Sequence, residues 1–412
     1  MNAGANPAAP VYLDHAATTP VYLDHAATTP VLPEVIDVMS SELAQNGNAS
    51  SLHTAGRDAR RRLEEARESV AAALGARASE VIFTAGATEA NNLAIKGLYW
   101  ARKRRRILIS AVEHHAVFDP AQWLATAEGA ELVLIPVDAN GVVDLAALAE
   151  LIAENPDDIA LIAVMWANNE VGTIQPINEV VELAKAHGIP VHCDAVQAVG
   201  QVPVDFAAAG VETMSISGHK IGGPPGTGAL IATREAQLTP VLHGGGQERG
   251  VRSGTLDVPG ACALAAAVRV GVQNQPNQAQ RLARLRDQLA AGIAKLTDAV
   301  VRGPALAQQN SEDLTRLPAN LHVTFPGCEG DSLLYLLDSQ GVQVSTGSAC
   351  QAGVPQPSHV LLAMGLAENV ARGALRFSLG HTSTDADVDA VLAALPEVVE
   401  RARAAGLAGG MA

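Results

Sequence analysis

The chain has 412 residues, 48% hydrophobic and 17% charged, a balance that builds a packed core and argues against a disordered polymer. A net charge of −15 argues against nucleic acid or an anionic membrane as partner of the whole surface, and no apolar run approaches membrane-spanning length. Cys193, Cys262, Cys328 and Cys350 are scattered, without a CxxC pair or a zinc-spaced histidine, which argues against a disulfide framework or a clustered metal site.

The opening MNAGANPAAP lacks the basic start and apolar stretch of a secretory signal, so a cytoplasmic location is expected. VYLDHAATTP then occurs twice in tandem, at 11–20 and 21–30. Only one copy can fill one structural slot. The second runs directly into VLPEVIDVM, so Asp24–Pro30 is assigned the slot and residues 1–20 are expected to be a displaced, poorly ordered extension. Helix-like segments follow at 56–74, 89–101, 144–154, 177–187 and 259–273. Between them lie EVIFTA, RILISA, ELVLIPV, IALIAVMW, IPVHCDA, TMSIS and GALIAT. Apolar runs alternating with helices predict an α/β fold, a buried and mostly parallel sheet between helices. The basic run Arg102–Arg106 reads as a solvated helix end or loop before a strand.

The polar stretch VQNQPNQAQ, around 272–280, predicts a hinge. Beyond it come a helix at 281–297, strand NLHVTF, a helix at 331–340, a loop carrying Cys350, a helix at 357–366, strand ALRFSL and a last helix from about 384. This second block reads as a smaller α+β domain. The boundaries are then 31–274 for the large domain and 275–412 for the small one.

The motifs with chemistry fall at the carboxyl ends of the predicted strands, where open α/β sheets bind ligands. In SISGHKIGGPPGTG, Lys220 has no acid near it in sequence, which suits a surface lysine or one that forms a Schiff base with a carbonyl. Asp194 ends the strand of IPVHCDAVQ; a buried carboxylate there needs a cation, a proton donor or a helix to cap. TAGATEANN opens a helix with Gly86, Ala87 and Thr88, a turn with free N–H groups for a phosphate. EHHAV offers His114 for stacking or proton transfer, or equally a surface histidine pair, and WANNEVG offers Asn169 and Glu170 as hydrogen-bonding groups or turn residues. Arg376 within ALRFSL suits a carboxylate partner or an internal ion pair. HGGGQERGVRSGT combines glycines with Arg252 and Thr255, as a phosphate loop or a subunit contact does. Cys350 sits in STGSACQAGVPQP, which leaves it accessible and mobile, as a reactive thiol requires.

Taken in order, LDHAATTP, GATEANNLAIKG, EHHAV, NNEVG, DAVQAVG, SGHK, HGGGQERGVRSGT, GSAC and RFSLG resemble the cysteine desulfurases of the NifS/IscS kind, from about residue 22 to 390. The resemblance implies the fold type I architecture of pyridoxal-phosphate enzymes, with segment 21–30 joining the small domain. It implies Lys220 as Schiff-base lysine and Cys350 as the nucleophile that takes sulfur from L-cysteine as a persulfide. Asp194 would pair with the pyridine nitrogen, Asn169 and Gln197 would meet the ring hydroxyl, and His114 would stack and move protons. Ala87, Thr88, Ser217 and His219 would hold the phosphate, with Thr255 reaching it from a second subunit of a homodimer. Arg376, with Asn169, would bind the substrate carboxylate. Sulfur-acceptor proteins such as an iron–sulfur scaffold would be partners. No permanent metal is implied, and a transient iron–sulfur cluster on Cys350 stays open. A selenocysteine lyase or another enzyme of the same fold is the alternative. The chain departs from the family at Ala49, where proline is common, and at His381, where arginine is common.

Overall fold

The computed structural model describes residues 20–295, 298–306, 314–347 and 357–409. In chain order it runs β1 (Val21–Tyr22), α1 (Pro33–Leu43), α2 (Thr54–Ala73), β2 (Val81–Thr84), α3 (Ala87–Arg102), β3 (Arg106–Ser110), α4 (His115–Glu128) and β4 (Glu131–Ile135). It continues with α5 (Leu145–Glu154), β5 (Ile159–Ala163), α6 (Ile177–Lys185), β6 (Val191–Asp194), α7 (Phe206–Ala209), β7 (Thr213–Ser217) and β8 (Gly228–Ala232). After α8 (Val258–Ile293) come β9 (Val300–Arg302), β10 (Asn320–Thr324), α9 (Gly330–Asp338), β11 (Val342–Gln343), α10 (His359–Ala363), α11 (Glu368–Ala371), β12 (Ala374–Ser378) and α12 (Asp385–Gly409).

The large sheet has the order β2-β8-β7-β6-β5-β3-β4, and β8 alone among these strands runs against its neighbours. Successive strand residues face opposite sides, and both sides are covered. Leu108 and Ile162 pack with α2, α5, α6 and the start of α8. Ile107, Ile109 and Leu161, one residue away, pack with α3 and α4. That two-sided burial explains why the strands read as unbroken apolar runs, as a sheet covered on both faces must.

A second core forms around the antiparallel sheet β12-β10-β9, from α9, α12 and the later half of α8. Leu23 lies in this core, and β1 pairs in parallel with β11, so the second decapeptide copy is fastened to the far end of the chain. The first copy, 11–20, lies outside the described residues apart from Pro20. The hinge expected at 272–280 is not there: α8 is one helix of 36 residues that crosses from one core to the other. Its buried residues fall into two groups, ending at Val268 and resuming at Leu282. The polar stretch between them is the length that spans the two cores, and glutamine is a good helix former. No helix among the described residues is long and apolar enough to cross a membrane.

Candidate active site

A cavity of about 530 Å3 opens at the carboxyl ends of β2, β5, β6 and β7. Each of these strands delivers chemistry to it through the turn that follows.

After β7 the chain makes a tight turn, Gly218–Lys220, that carries Ser217, His219 and Lys220 to the cavity wall. Only glycine fits at 218, since a Cβ there would lie 2.3 Å from the Thr227 hydroxyl. Lys220 Nζ donates to the carbonyls of Ala26 and Ala27, each at 2.7 Å. Burial, with help from the nearby Arg376 charge, pulls its ammonium down to about 8, so a neutral amine is accessible near physiological pH. Burial likewise lowers His219 to about 4.

Asp194, at the end of β6, is held on both oxygens. Val196 N–H donates to Oδ1 at 3.0 Å, and Asn91 Nδ2, from α3, donates to Oδ2 at 2.7 Å. Because the Asn91 amide donates to the carboxylate, its oxygen must accept, and His192 Nε2–H supplies that bond at 3.0 Å. The other ring nitrogen then accepts from the Thr213 hydroxyl at 2.9 Å. Complete burial pushes His192 down to about 3, so this relay carries a neutral imidazole. Asn91 and His192 were not singled out in the sequence; both are fully buried polar residues.

Ala87 and Thr88 open α3, whose N-cap is Gly86 with φ 131° and no side-chain cap. Gly86, Ala87 and Thr88 all line the cavity, so the start of this helix, where an anion is favoured, borders it. Beyond β3, His114 caps α4: its Nδ1 accepts from Ala116 N–H at 3.0 Å, which leaves the proton of the neutral ring on Nε2. Burial lowers this imidazole, partly offset by Asp194. Beneath it Glu113 is fully buried, accepting from Met165 N–H at 2.6 Å through one oxygen while the other has no partner among the described residues. Burial, reinforced by Asp194, raises its carboxyl well above the usual range.

Arg376 reaches the cavity from β12, across the boundary between the two cores. It donates to Asp24 Oδ1 at 2.8 Å and to the Asn169 carbonyl at 3.1 Å. Asn169 follows β5, and Gln197 follows β6, donating to the Ala26 carbonyl at 2.9 Å. Thr255 is exposed and does not line this cavity.

Cys350 lies outside the described residues. The residues flanking its segment do not: Ser345, Gly347 and His359 all line the cavity. Both ends are fastened there, Ser345 by pairing with Arg376 and Ser358 by donating to buried Glu170 at 2.5 Å. His359 Nε2 donates to the Glu113 carbonyl at 2.9 Å. Among the described residues there is no group of three or more His, Cys, Asp or Glu able to hold a metal.

The sequence is 55% identical over 403 residues to the "IscS-like cysteine desulfurase" of Mycobacterium tuberculosis, covering 96% of this chain and 98% of that protein. It is 42% identical to the "Cysteine desulfurase IscS" of Methanosarcina thermophila, covering 95% and 93%. Among solved structures, a "NIFS-LIKE PROTEIN" superposes with a TM-score of 0.84 at 36% identity, covering 93% of this chain and 99% of that one. "SspA in complex with cysteine" superposes with a TM-score of 0.73 at 34% identity, covering 87% and 98%. The model of one family, Aminotransferase class-V, matches residues 21–391, and the chain belongs to that family.

Proposed function

We propose that the chain is a cysteine desulfurase, converting L-cysteine to L-alanine while Cys350 takes the sulfur as a persulfide for transfer to acceptor proteins. The observation that carries this reading is the convergence of a depressed lysine, an anchored carboxylate, an uncapped helix start and a half-free arginine on one cavity. The cofactor is pyridoxal 5'-phosphate, as in its relatives, and the residues fit it. The bare start of α3 at Ala87 and Thr88, together with Ser217 and His219, suits the phosphate, and Lys220 suits the aldehyde. Asp194 suits a protonated ring nitrogen, because both its oxygens are already fixed in place. Bound there, the cofactor supplies an electron sink that makes the α-hydrogen and the sulfur of an amino acid labile.

The chain's own side chains do the rest. Arg376 and Asn169 hold the substrate carboxylate. Neutral Lys220 accepts the α-proton, and His114, with its proton on Nε2, is placed to give one back. The Cys350 thiolate forms a bond to the substrate sulfur as the carbon–sulfur bond breaks; that electron pair stays on carbon, which takes a proton and leaves as alanine. Thr255, exposed and outside its own cavity, supports a homodimer in which a second copy completes the phosphate site. The acceptor proteins would serve iron–sulfur cluster assembly or tRNA thiolation.

Incubation with L-cysteine and a reductant should release alanine and sulfide in equal amounts without a keto-acid co-substrate. Cys350→Ser should stop both while keeping the visible absorbance of bound cofactor. Sustained turnover of cysteine by that variant would refute the assignment of the nucleophile.

A further inference from the structure

The only carboxylate that the described residues place in direct contact with Arg376 belongs to the N-terminal segment. Asp24 could block the arginine or aim it, and the donor count decides. A guanidinium carries five N–H donors, and Asp24 and the Asn169 carbonyl engage one each. Nε is buried and has no partner among the described residues, so it is closed to a ligand. One N–H on each terminal nitrogen therefore remains for a carboxylate while the other N–H of each is held.

Asp24 is itself rigidly placed. Its backbone bridges to Ser378, two residues beyond Arg376 on the same strand. Ser378 N–H donates to the Leu23 carbonyl at 2.8 Å, and the Ser378 hydroxyl accepts from Ala26 N–H at 2.9 Å. Asp24 is thus fastened by this isolated bridge to the edge of β12, the strand that carries Arg376. A second carboxylate, buried Glu170, lies within electrostatic reach of Arg376, which lowers it against the larger effect of burial. A long side chain released from Asp24 would have that acid as an alternative partner, held by Ser358 at another part of the cavity wall.

We infer that Asp24 is a positioning residue for the substrate carboxylate: it holds the Arg376 fork facing the cavity and away from Glu170. This rests on the reading of Arg376 as the carboxylate site. The recognised group is a free α-carboxylate, and an amino acid amide should gain nothing from Asp24.

The test uses the full-length holoenzyme. The tandem copy carries the same residue at Asp14, so all arms include Asp14→Ala to remove a stand-in. Asp24→Ala should raise KM for L-cysteine about tenfold, the worth of one charge-assisted hydrogen bond, with kcat changed much less. Affinity for L-alanine, read from the change it causes in the cofactor's visible spectrum, should fall by a similar factor, and that for L-alaninamide should not. In an Arg376→Ala background the Asp24 substitution should have no further effect. An unchanged or lower KM, an equal loss for the amide, or additive effects in the double variant would overturn the inference. If Arg376→Ala alone leaves L-alanine affinity intact, the reading of Arg376 fails instead. Should Asp24→Ala not fold by thermal melting, Asp24→Asn carries the same test, with a smaller rise in KM and the same selectivity against the amide.

Discussion

Lys220 is useful because it is hard to charge. Its depressed value of about 8 means that the neutral amine grows tenfold per pH unit up to that point and then saturates. The rate at which cofactor-free protein takes up pyridoxal phosphate should follow the same curve, rising through pH 6–8 and levelling above, as stopped-flow absorbance would read. A flat profile would mean that the lysine is not the reacting group. Asn91 is the residue on which Asp194 leans. Asn91→Leu keeps the volume but strands Asp194 Oδ2 and the His192 N–H, which should cost at least roughly 2 kcal/mol in urea unfolding. Lys220, Asp194 and His114 stand out in the sequence because each falls in a motif at or just beyond a strand end, and Arg376 because it is a charge inside an apolar strand. Asn91 does not, since its partner lies 103 residues away and nothing local marks a mid-helix asparagine as a relay.

At the level of elements, the parallel strands were legible from apolar runs too short for helices and bounded by turn residues. Helix α4 was not named. Pro120 interrupts it and two histidines open it, and its burial of Val117, Ala121 and Leu124 against the sheet overrides those signals. Helix α8 reads as two pieces for a related reason: a hydrophobic stripe reports cores, and this helix serves two of them. The second decapeptide copy pairs with β11 and puts Ala26 and Ala27 on the cavity wall, a reach that its sequence does not reveal. Removing residues 20–30 takes Leu23, 0% exposed, out of the second core and should cost about 2–5 kcal/mol from the leucine alone. A Leu23→Ala thermal melt would measure it.

Across the whole molecule, acid should be a specific weakness. His192 and His322 are fully buried and both held down to about 3. Their unfolded counterparts take a proton near pH 6.5 that the folded state refuses, so the unfolded side gains as pH falls between those values. Stability should therefore drop on the order of 3 kcal/mol per pH unit below 6 from this pair. Urea midpoints at pH 6.5, 5.5 and 4.5 would measure it, and His322→Gln should lessen the slope. His322 shows why such features escape sequence reading. It looks like any strand histidine, and only the packed structure shows that neither ring nitrogen finds a partner among the described residues.

Asp24 and Arg376 meet across 352 residues of chain. On a ribosome the large sheet can close while translation continues, but the Asp24–Arg376 pair cannot exist until β12 has left the exit tunnel. Contacts of such separation form slowly, so this wall of the cavity is completed after the turn that carries Lys220. The enzyme must finish being made before it can start to work.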